Sequence, residues 1–151
     1  MLQKLRWFVL LAFVAALPSC GGVKPVTGGT TGVLHAGDDF LSEFQVTVHE
    51  VEGSSTRPIG FGVTGPDGSF ELVTNGAHGA LWLSPGEYRC TLESAGAPVQ
   101  FPKEYAQPNT TPLKISWSAG DEELDLEVPA PTPVRQYHPS NNTQSGNTVF
   151  K

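Results

Sequence analysis

Clusters of turn-forming residues divide the middle of this chain into short strand-like runs, and this pattern limits what the chain can fold into. Between residues 30 and 128, no stretch repeats apolar residues at the three- and four-residue spacing of an amphipathic helix. Several runs instead alternate apolar and polar residues, and Gly, Pro and Asp separate them. Such strands bury their apolar faces when two sheets stack. We therefore predict one all-β domain over residues 30–128.

Residues 30–34 and 44–49 are predicted to form the first two strands. The second of these runs alternates strictly, so its two sets of side chains point to opposite faces. The apolar members, which we expect to be buried, are Phe44, Val46 and Val48. The polar members, which we expect to face water, are Gln45, Thr47 and His49.

A hairpin is predicted from residues 59–64 to residues 69–74. In the turn between them, Pro66 presets the backbone and Gly68 permits a positive φ. This is the strongest turn signal in the chain.

A second hairpin is predicted from residues 113–117 to residues 124–128, across a turn at residues 118–121. Together with a strand over residues 88–92, the chain then has about seven short strands and no helices to cover a parallel sheet. We therefore predict a single antiparallel β-sandwich. A small open barrel is the alternative.

Two turn-centred segments carry a family resemblance. Residues 65–72 read Gly-Pro-Asp-Gly-Ser-Phe-Glu-Leu, and residues 83–88 read Leu-Ser-Pro-Gly-Glu-Tyr. They resemble the carboxypeptidase regulatory-like domain, whose sandwich is transthyretin-like or immunoglobulin-like. Residues 102–108 and 110–113 resemble a loop of single-domain bacterial lipoproteins of this type. The resemblance covers about residues 30–128.

This resemblance implies a fold and no catalytic chemistry. Asp67 and Gly68 would shape a turn, and Phe70 and Tyr88 would fill the core. The loop at residues 75–83 is long for the family. Such domains are accessory or binding modules, so the resemblance implies a non-enzymatic domain that contacts an envelope protein or, alternatively, a glycan.

A transthyretin-like hydrolase is the least favoured alternative. Hydrolases of hydroxyisourate with this fold use His and Arg together with a C-terminal Tyr-Arg-Gly-Ser segment. Here residues 147–151 read Asn-Thr-Val-Phe-Lys, and Tyr88-Arg89 lies in mid-domain before Cys90. We therefore expect no catalytic residue, no enzymatic activity and no cofactor.

The N-terminus has the parts of a signal peptide over residues 1–19. Lys4 and Arg6 precede an apolar run at residues 7–17, and Ser19 stands directly before Cys20. As a helix, that run would reach only about 17 Å, whereas a bilayer core is about 30 Å thick. The segment is therefore too short to span a membrane permanently.

The sequence Leu17-Pro18-Ser19-Cys20 resembles the lipobox of bacterial lipoproteins, with Pro18 its less usual element. The resemblance implies cleavage between Ser19 and Cys20, diacylation of the Cys20 sulfur and often an acyl chain, such as palmitate, on the new N-terminus. It also implies anchorage in the cell envelope, and Gly21 in place of Asp favours the outer membrane. A plain signal peptide cut near residues 15–19 is the alternative.

The segments around the predicted domain differ from it in composition. Residues 20–29 contain Gly, Thr and Pro and are predicted to be a flexible tether after the lipidated Cys20. Residues 129–151 are rich in Pro, Asn, Ser and Thr and are predicted to be a disordered tail.

The charge of the chain argues against nucleic acid as a partner. Loss of Lys4 and Arg6 with the signal would leave seven basic residues against fifteen acidic ones, a net charge of −8. Such a surface repels phosphate backbones. We therefore expect the partners to be the membrane, through Cys20, and an envelope protein or glycan.

Three further groups of side chains are candidates for binding sites. The histidines, which lack metal-ligand spacing, are His35, His49, His78 and His138, and we expect them on the surface.

The acids that could offer oxygen ligands to Ca²⁺ are Asp121, Glu122, Glu123, Asp125 and Glu127, although alternation favours a solvated strand face for the last two. The aromatics that could stack on a sugar are Trp82, Trp117, Tyr105 and Tyr137, of which we expect at least one tryptophan in the core.

Cys90 is the second of two cysteines, so a lipidated Cys20 would leave it without a disulfide partner. We expect it to be a small buried hydrophobe and not a reactive thiol. We also expect it to point away from Tyr88 and Leu92 on its strand.

Overall fold

The computed structural model describes residues 26–134, which fold into a β-sandwich. This range contains one short 3-10 helix, Lys103–Ala106, and eleven β-strands, seven of which have three residues or more. The strands are β1 (Thr31–Ala36), β2 (Asp39–Phe40), β3 (Phe44–Glu52), β4 (Ser55–Val63), β5 (Ser69–Glu71), β6 (Val73–Thr74), β7 (Gly86–Ser94), β8 (Val99–Gln100), β9 (Lys114–Trp117), β10 (Glu123–Glu127) and β11 (Thr132–Pro133). The predicted all-β class is confirmed.

Two main sheets form the layers. The long sheet has the order β6-β4-β3-β7-β9, and all its pairings are antiparallel. The short sheet centres on β1, which pairs with β10 along one edge and with β5 and β2 along the other. The β1–β10 pair is parallel, which departs from the antiparallel pattern expected. Strands β8 and β11 pair separately.

Apolar side chains from both sheets meet in one core. The three apolar residues of β3 predicted to be buried, Phe44, Val46 and Val48, are all buried. Tyr88, Cys90 and Leu92 on β7 are buried as well. The remaining core members are Leu34, Phe70, Leu72, Tyr105, Leu113, Trp117, Leu124, Leu126 and Val128. The predicted core positions of Phe70 and Tyr88 are thus confirmed.

The predicted orientation of Cys90 is wrong. Residues 88, 90 and 92 are two apart in sequence, and strand side chains two apart point to the same face. Cys90 therefore lies beside Tyr88 and Leu92 with no exposed surface. Its predicted role as a small buried hydrophobe is confirmed.

His49 is buried, which corrects the prediction that it faces water. Its Nε2 lies 3.0 Å from the Thr91 hydroxyl, on the outer face of the long sheet. Pro58 and Arg89 stand in register on either side of it, and a bulge after Val48 disturbs the pairing there. In a central strand, side chains of the two neighbouring strands can cover a side chain that points outward. The alternation of one strand does not predict this burial.

The first predicted hairpin is only partly correct. Its turn forms, because the Gly65 N–H donates to the Ser69 carbonyl at 2.8 Å and Gly68 has a φ of +72°. The following strand does not return along β4, however. Its first part, β5, pairs with β1 in the short sheet, and only β6 pairs with β4. The chain changes sheets at the buried Leu72.

The second predicted hairpin is wrong. Strand β9 pairs with β7 in the long sheet, whereas β10 pairs with β1 in the short sheet. The intervening turn still forms, since the Asp121 carboxylate accepts the Ser118 N–H at 2.6 Å. It connects two layers of the sandwich instead of two neighbouring strands.

The folded part extends past the boundary predicted at Val128. Strand β11 pairs with β8, and the Val134 N–H donates to the Pro98 carbonyl at 2.9 Å. The rest of the predicted tail, residues 135–151, lies outside the described residues. The predicted signal peptide and the first part of the tether, residues 1–25, lie outside them too.

The chain enters and leaves the short sheet at opposite ends of the sandwich. Thr31, at the start of β1, is in register with the first residue of β10. Beyond β10, the Val128 N–H donates to the His35 carbonyl near the end of β1, at 2.9 Å. We call the end at Thr30 the entry end and the end at Val128 the exit end. This separation follows from the parallel pairing.

Gly32 gives a test of how closely the Phe70 ring packs over the neighbouring strand β1 within the short sheet. A Cβ at this position would overlap the ring of Phe70, whereas one at Gly79 would meet no atom within 4 Å. We expect Gly32→Ala to lower the free energy of unfolding by about 1–3 kcal/mol, the usual range for overpacking. Urea unfolding should show this loss, with partial recovery in Gly32→Ala/Phe70→Leu and little loss in Gly79→Ala. Equal stability of the two single variants would contradict the packing described.

The buried His49 ring predicts sensitivity to acid. Its Nδ1 is buried without a hydrogen-bond partner in residues 26–134, and burial lowers the pKa of this imidazole. As the pH falls, this ring is therefore protonated in the unfolded chain before it is protonated in the folded one. The free energy of unfolding keeps the full contribution of the neutral ring above about pH 6.5 and loses it as the pH falls below that value. We expect urea unfolding between about pH 7 and pH 5 to show this loss in the wild type but not in His49→Gln. Parallel pH profiles for the two proteins would refute it.

Candidate functional site: an acidic sheet face

The outer surface of the short sheet brings together carboxylates from two strands that are distant in sequence. Thr31 in the central strand β1 is in register with Glu123 on one side and Glu71 on the other. Two further rows follow along β1, one through Val33 and one through His35. The exposed carboxylates of this surface, which we call the acidic face, are Glu71, Glu123, Asp125 and Glu127. The predicted solvated face of β10 is confirmed.

No Lys or Arg side chain of the described part of the chain lies on this face. Those within residues 26–134 lie in the long sheet and its connections, and they are Arg57, Arg89, Lys103 and Lys114. Arg57 is paired with Glu50 and Glu52, and Arg89 donates to the Pro108 carbonyl at 2.9 Å. Among the described residues, no Lys or Arg therefore offsets the negative potential of the acidic face.

His35 is the one basic side chain in the rows of the acidic face. Its Nδ1 lies 2.9 Å from the Gly37 carbonyl, and its Nε2 lies 2.7 Å from the Asp125 carboxylate. Both partners accept hydrogen bonds, so only the doubly protonated ring satisfies both. The Gly37 carbonyl and then the Asp125 carboxylate raise the pKa of His35. The positive charge on this face therefore depends on pH.

An open groove borders the acidic face where β9 and β10 diverge. It has a volume of about 330 Å³ and combines apolar side chains such as Ile115 and Trp117 with the acids of residues 121–125. These acids are four of the five predicted candidates for Ca²⁺, and the fifth, Glu127, does not line the groove. Within residues 26–134, no group of three or more His, Cys, Asp or Glu is placed to hold a metal ion. The calcium hypothesis thus gains no geometric support.

The structure separates the aromatic residues that the sequence singled out. Trp117 and Tyr105 are each only 8% exposed and belong to the core. Tyr105 packs at 5.5 Å, between ring centres, on Phe101. Trp82 is 69% exposed. The prediction that at least one tryptophan lies in the core is confirmed, and Tyr137 lies outside the described residues.

The remaining candidates do not form a site in the described chain. His78 is exposed in the loop before β7, as predicted, and His138 lies outside the described residues. Cys90 is fully buried, and burial raises the pKa of its thiol to about 12, so it stays protonated and unreactive at neutral pH. Ser19 and Cys20, the predicted cleavage and lipidation residues, also lie outside residues 26–134.

Among residues 26–134, no helix is long and apolar enough to cross a membrane. No protein-family model, curated protein or solved structure matches the chain. The likeness to the carboxypeptidase regulatory-like domain therefore remains one of short segments.

The pH dependence of His35 can be tested directly. We expect NMR titration of the wild type to give a His35 pKa above 6.5, the ordinary value. Asp125→Asn should lower that pKa without fully restoring the ordinary value, because the larger contribution of the Gly37 carbonyl remains. Glu93→Gln, on the other sheet, should leave it unchanged. A wild-type pKa at or below 6.5 would show that the two hydrogen bonds do not hold the proton.

Proposed function

We propose that this chain is a lipid-anchored protein of the bacterial cell envelope that presents its β-sandwich for non-enzymatic contact with another protein. Cys20 is the proposed anchor. The acidic face is the proposed contact surface, and the partner should carry a basic surface.

The observation that carries the proposal is the concentration of charge on one sheet face. Four exposed carboxylates stand on β5 and β10 without a Lys or Arg among them. Complementary charge speeds association with a basic partner and disfavours acidic ones. Salt weakens such attraction, since ions screen exposed charges over about 10 Å at 0.1 M. Contact through this face should therefore weaken as ionic strength rises.

The arrangement of the termini suits a protein that is held at one end. The tether from Cys20 would join the sandwich at Thr30, and the exit end lies beyond His35, about 17 Å further along β1 at the strand rise of about 3.3 Å. Two acyl chains hold a protein at a membrane far more stably than one, at about 0.8 kcal/mol per buried methylene. An anchored copy would thus stay at the surface with its exit end turned outward.

Carbohydrate binding is the second candidate, because Trp82 is exposed. Stacking sites combine rings with nearby hydrogen-bonding groups. Two of the four aromatics considered for such a site, Trp117 and Tyr105, are buried. One exposed ring supports a sugar site less well than four carboxylates support a basic protein partner.

The anchor is tested by intact mass spectrometry of the protein purified from bacterial membranes. We expect a chain that begins at Cys20 and carries a diacylglyceryl group, with Cys20→Ser losing both the lipid and the membrane association. An unmodified chain cut elsewhere between residues 15 and 19 would leave the plain signal peptide as the correct alternative.

The contact surface is tested by cross-linking in cells followed by mass spectrometry. We expect one envelope protein to link reproducibly to the wild type, and Glu123→Lys/Glu127→Lys to reduce the yield several-fold because it reverses two charges of the acidic face. Glu93→Lys, an exposed acid on the long sheet, is the matched control and should keep the yield. Equal losses in both variants would argue against the acidic face, and the absence of any linked protein would favour the glycan alternative.

A further inference from the structure

We propose that Trp82 contacts the membrane surface beside the anchored N-terminus and so holds the sandwich with its entry end toward the lipid. This inference rests on the proposed lipid anchor at Cys20. It adds a second point of contact, made by the folded domain itself.

Trp82 is the most exposed of the large apolar side chains in the described chain. Its neighbours Leu81 and Leu83 are partly buried and pack against the core, which leaves the indole directed away from it. An exposed tryptophan on a rigid backbone can insert at an apolar boundary without first being released from the fold. The indole prefers membrane interfaces, where the ring meets apolar chains and its N–H meets water.

Hydrogen bonds hold the Trp82 loop at the point where the chain enters the sandwich. The Thr30 N–H donates to the Leu81 carbonyl at 2.8 Å, and the Leu83 N–H donates to the Thr30 hydroxyl at 2.9 Å. Trp82 lies between these two contacts in sequence. The residues before and after Trp82 are therefore both hydrogen-bonded to Thr30, which fixes the backbone of Trp82 beside the entry end.

The tether is short enough to keep this end near the membrane. The Gly28 N–H donates to the Glu71 carboxylate at 2.6 Å, so the chain is already held at that residue. Gly28 is eight residue steps from Cys20 along the chain. A chain of eight steps extends at most about 29 Å, and a tether as flexible as the sequence predicts would span on average about 14–17 Å. Trp82 would therefore meet the lipid surface far more often than a side chain at the exit end.

The charges at the entry end indicate which lipid headgroups fit. Glu71 and Glu123 flank Thr31, and Glu122 is exposed in the turn before β10. These three carboxylates outnumber Lys24, the one basic residue of the tether, so a surface of anionic lipid would repel this end of the protein. The entry end should therefore contact zwitterionic headgroups, such as phosphatidylethanolamine and phosphatidylcholine, better than phosphatidylglycerol.

The test uses the full lipidated protein in vesicles of phosphatidylcholine and phosphatidylethanolamine, with brominated lipids as quenchers of tryptophan emission. Trp117→Phe leaves Trp82 as the tryptophan of the domain, and Trp82→Phe leaves the buried Trp117. We expect bromine close to the headgroups to quench the tryptophan emission of the Trp117→Phe variant strongly and that of the Trp82→Phe variant little. Adding phosphatidylglycerol should weaken the quenching, and salt should restore it.

A tryptophan at the other end of the sandwich serves as the matched control. Phe40 is 60% exposed and in register with His35, near the exit end. In the triple variant Phe40→Trp/Trp82→Phe/Trp117→Phe, the new indole should stay unquenched on the same vesicles. Quenching at both ends would indicate an unoriented domain and would overturn the proposal.

The remaining outcomes separate this inference from the proposed anchor. If mass spectrometry finds the lipid on Cys20 but bromine does not quench Trp82, the anchor stands and the membrane contact of Trp82 is wrong. An unmodified Cys20 overturns both. If Trp82 emission responds to envelope glycans and not to brominated lipid, the ring belongs to a sugar site and the proposal also fails.

Discussion

The short sheet depends on β1 being paired along both of its edges. Strand β10 runs parallel to it on one side, while β5 and β2 lie on the other. Leu34 in this strand has no exposed surface, and Gly32 leaves room for the ring of Phe70. Without β1, the residues of β10 and β5 would have neither a hydrogen-bonding partner nor a reason to lie near each other. The acidic face therefore exists because one strand joins two distant parts of the chain.

Local patterns in the sequence predicted local features well. Alternation identified the buried residues of β3, and Pro66 with Gly68 identified a turn that the structure contains. Pairing between strands was predicted less well, because a turn signal specifies a reversal of the chain and not the sheet that the next strand joins. The buried Leu72 and the layer crossing after Trp117 depend on packing between sheets. Those contacts are not encoded in any short window.

The sequence likewise predicted only part of the candidate site. Alternation in β10 predicted that Asp125 and Glu127 face solvent, which the structure confirms. It did not predict that Glu71 would lie across β1 from Glu123, since more than fifty residues separate them along the chain. The burial of His49 was missed for a related reason: its shielding comes from strands on both sides. The sequence indicates Trp82 as an aromatic that could bind a ligand. Its position beside Thr30 depends on hydrogen bonds between distant parts of the chain and is visible only in the structure.

The open edge of β10 has a consequence for the behaviour of many copies at once. Within residues 26–134 this strand pairs with β1 on one side only, so its other edge could template a strand from a second molecule. Copies confined to a membrane would meet in two dimensions and at high local density. Glu123, Asp125 and Glu127 on this strand would bring like charges together in such a pair. If the chain is anchored as proposed, the carboxylates of β10 would oppose edge-to-edge aggregation of neighbouring copies.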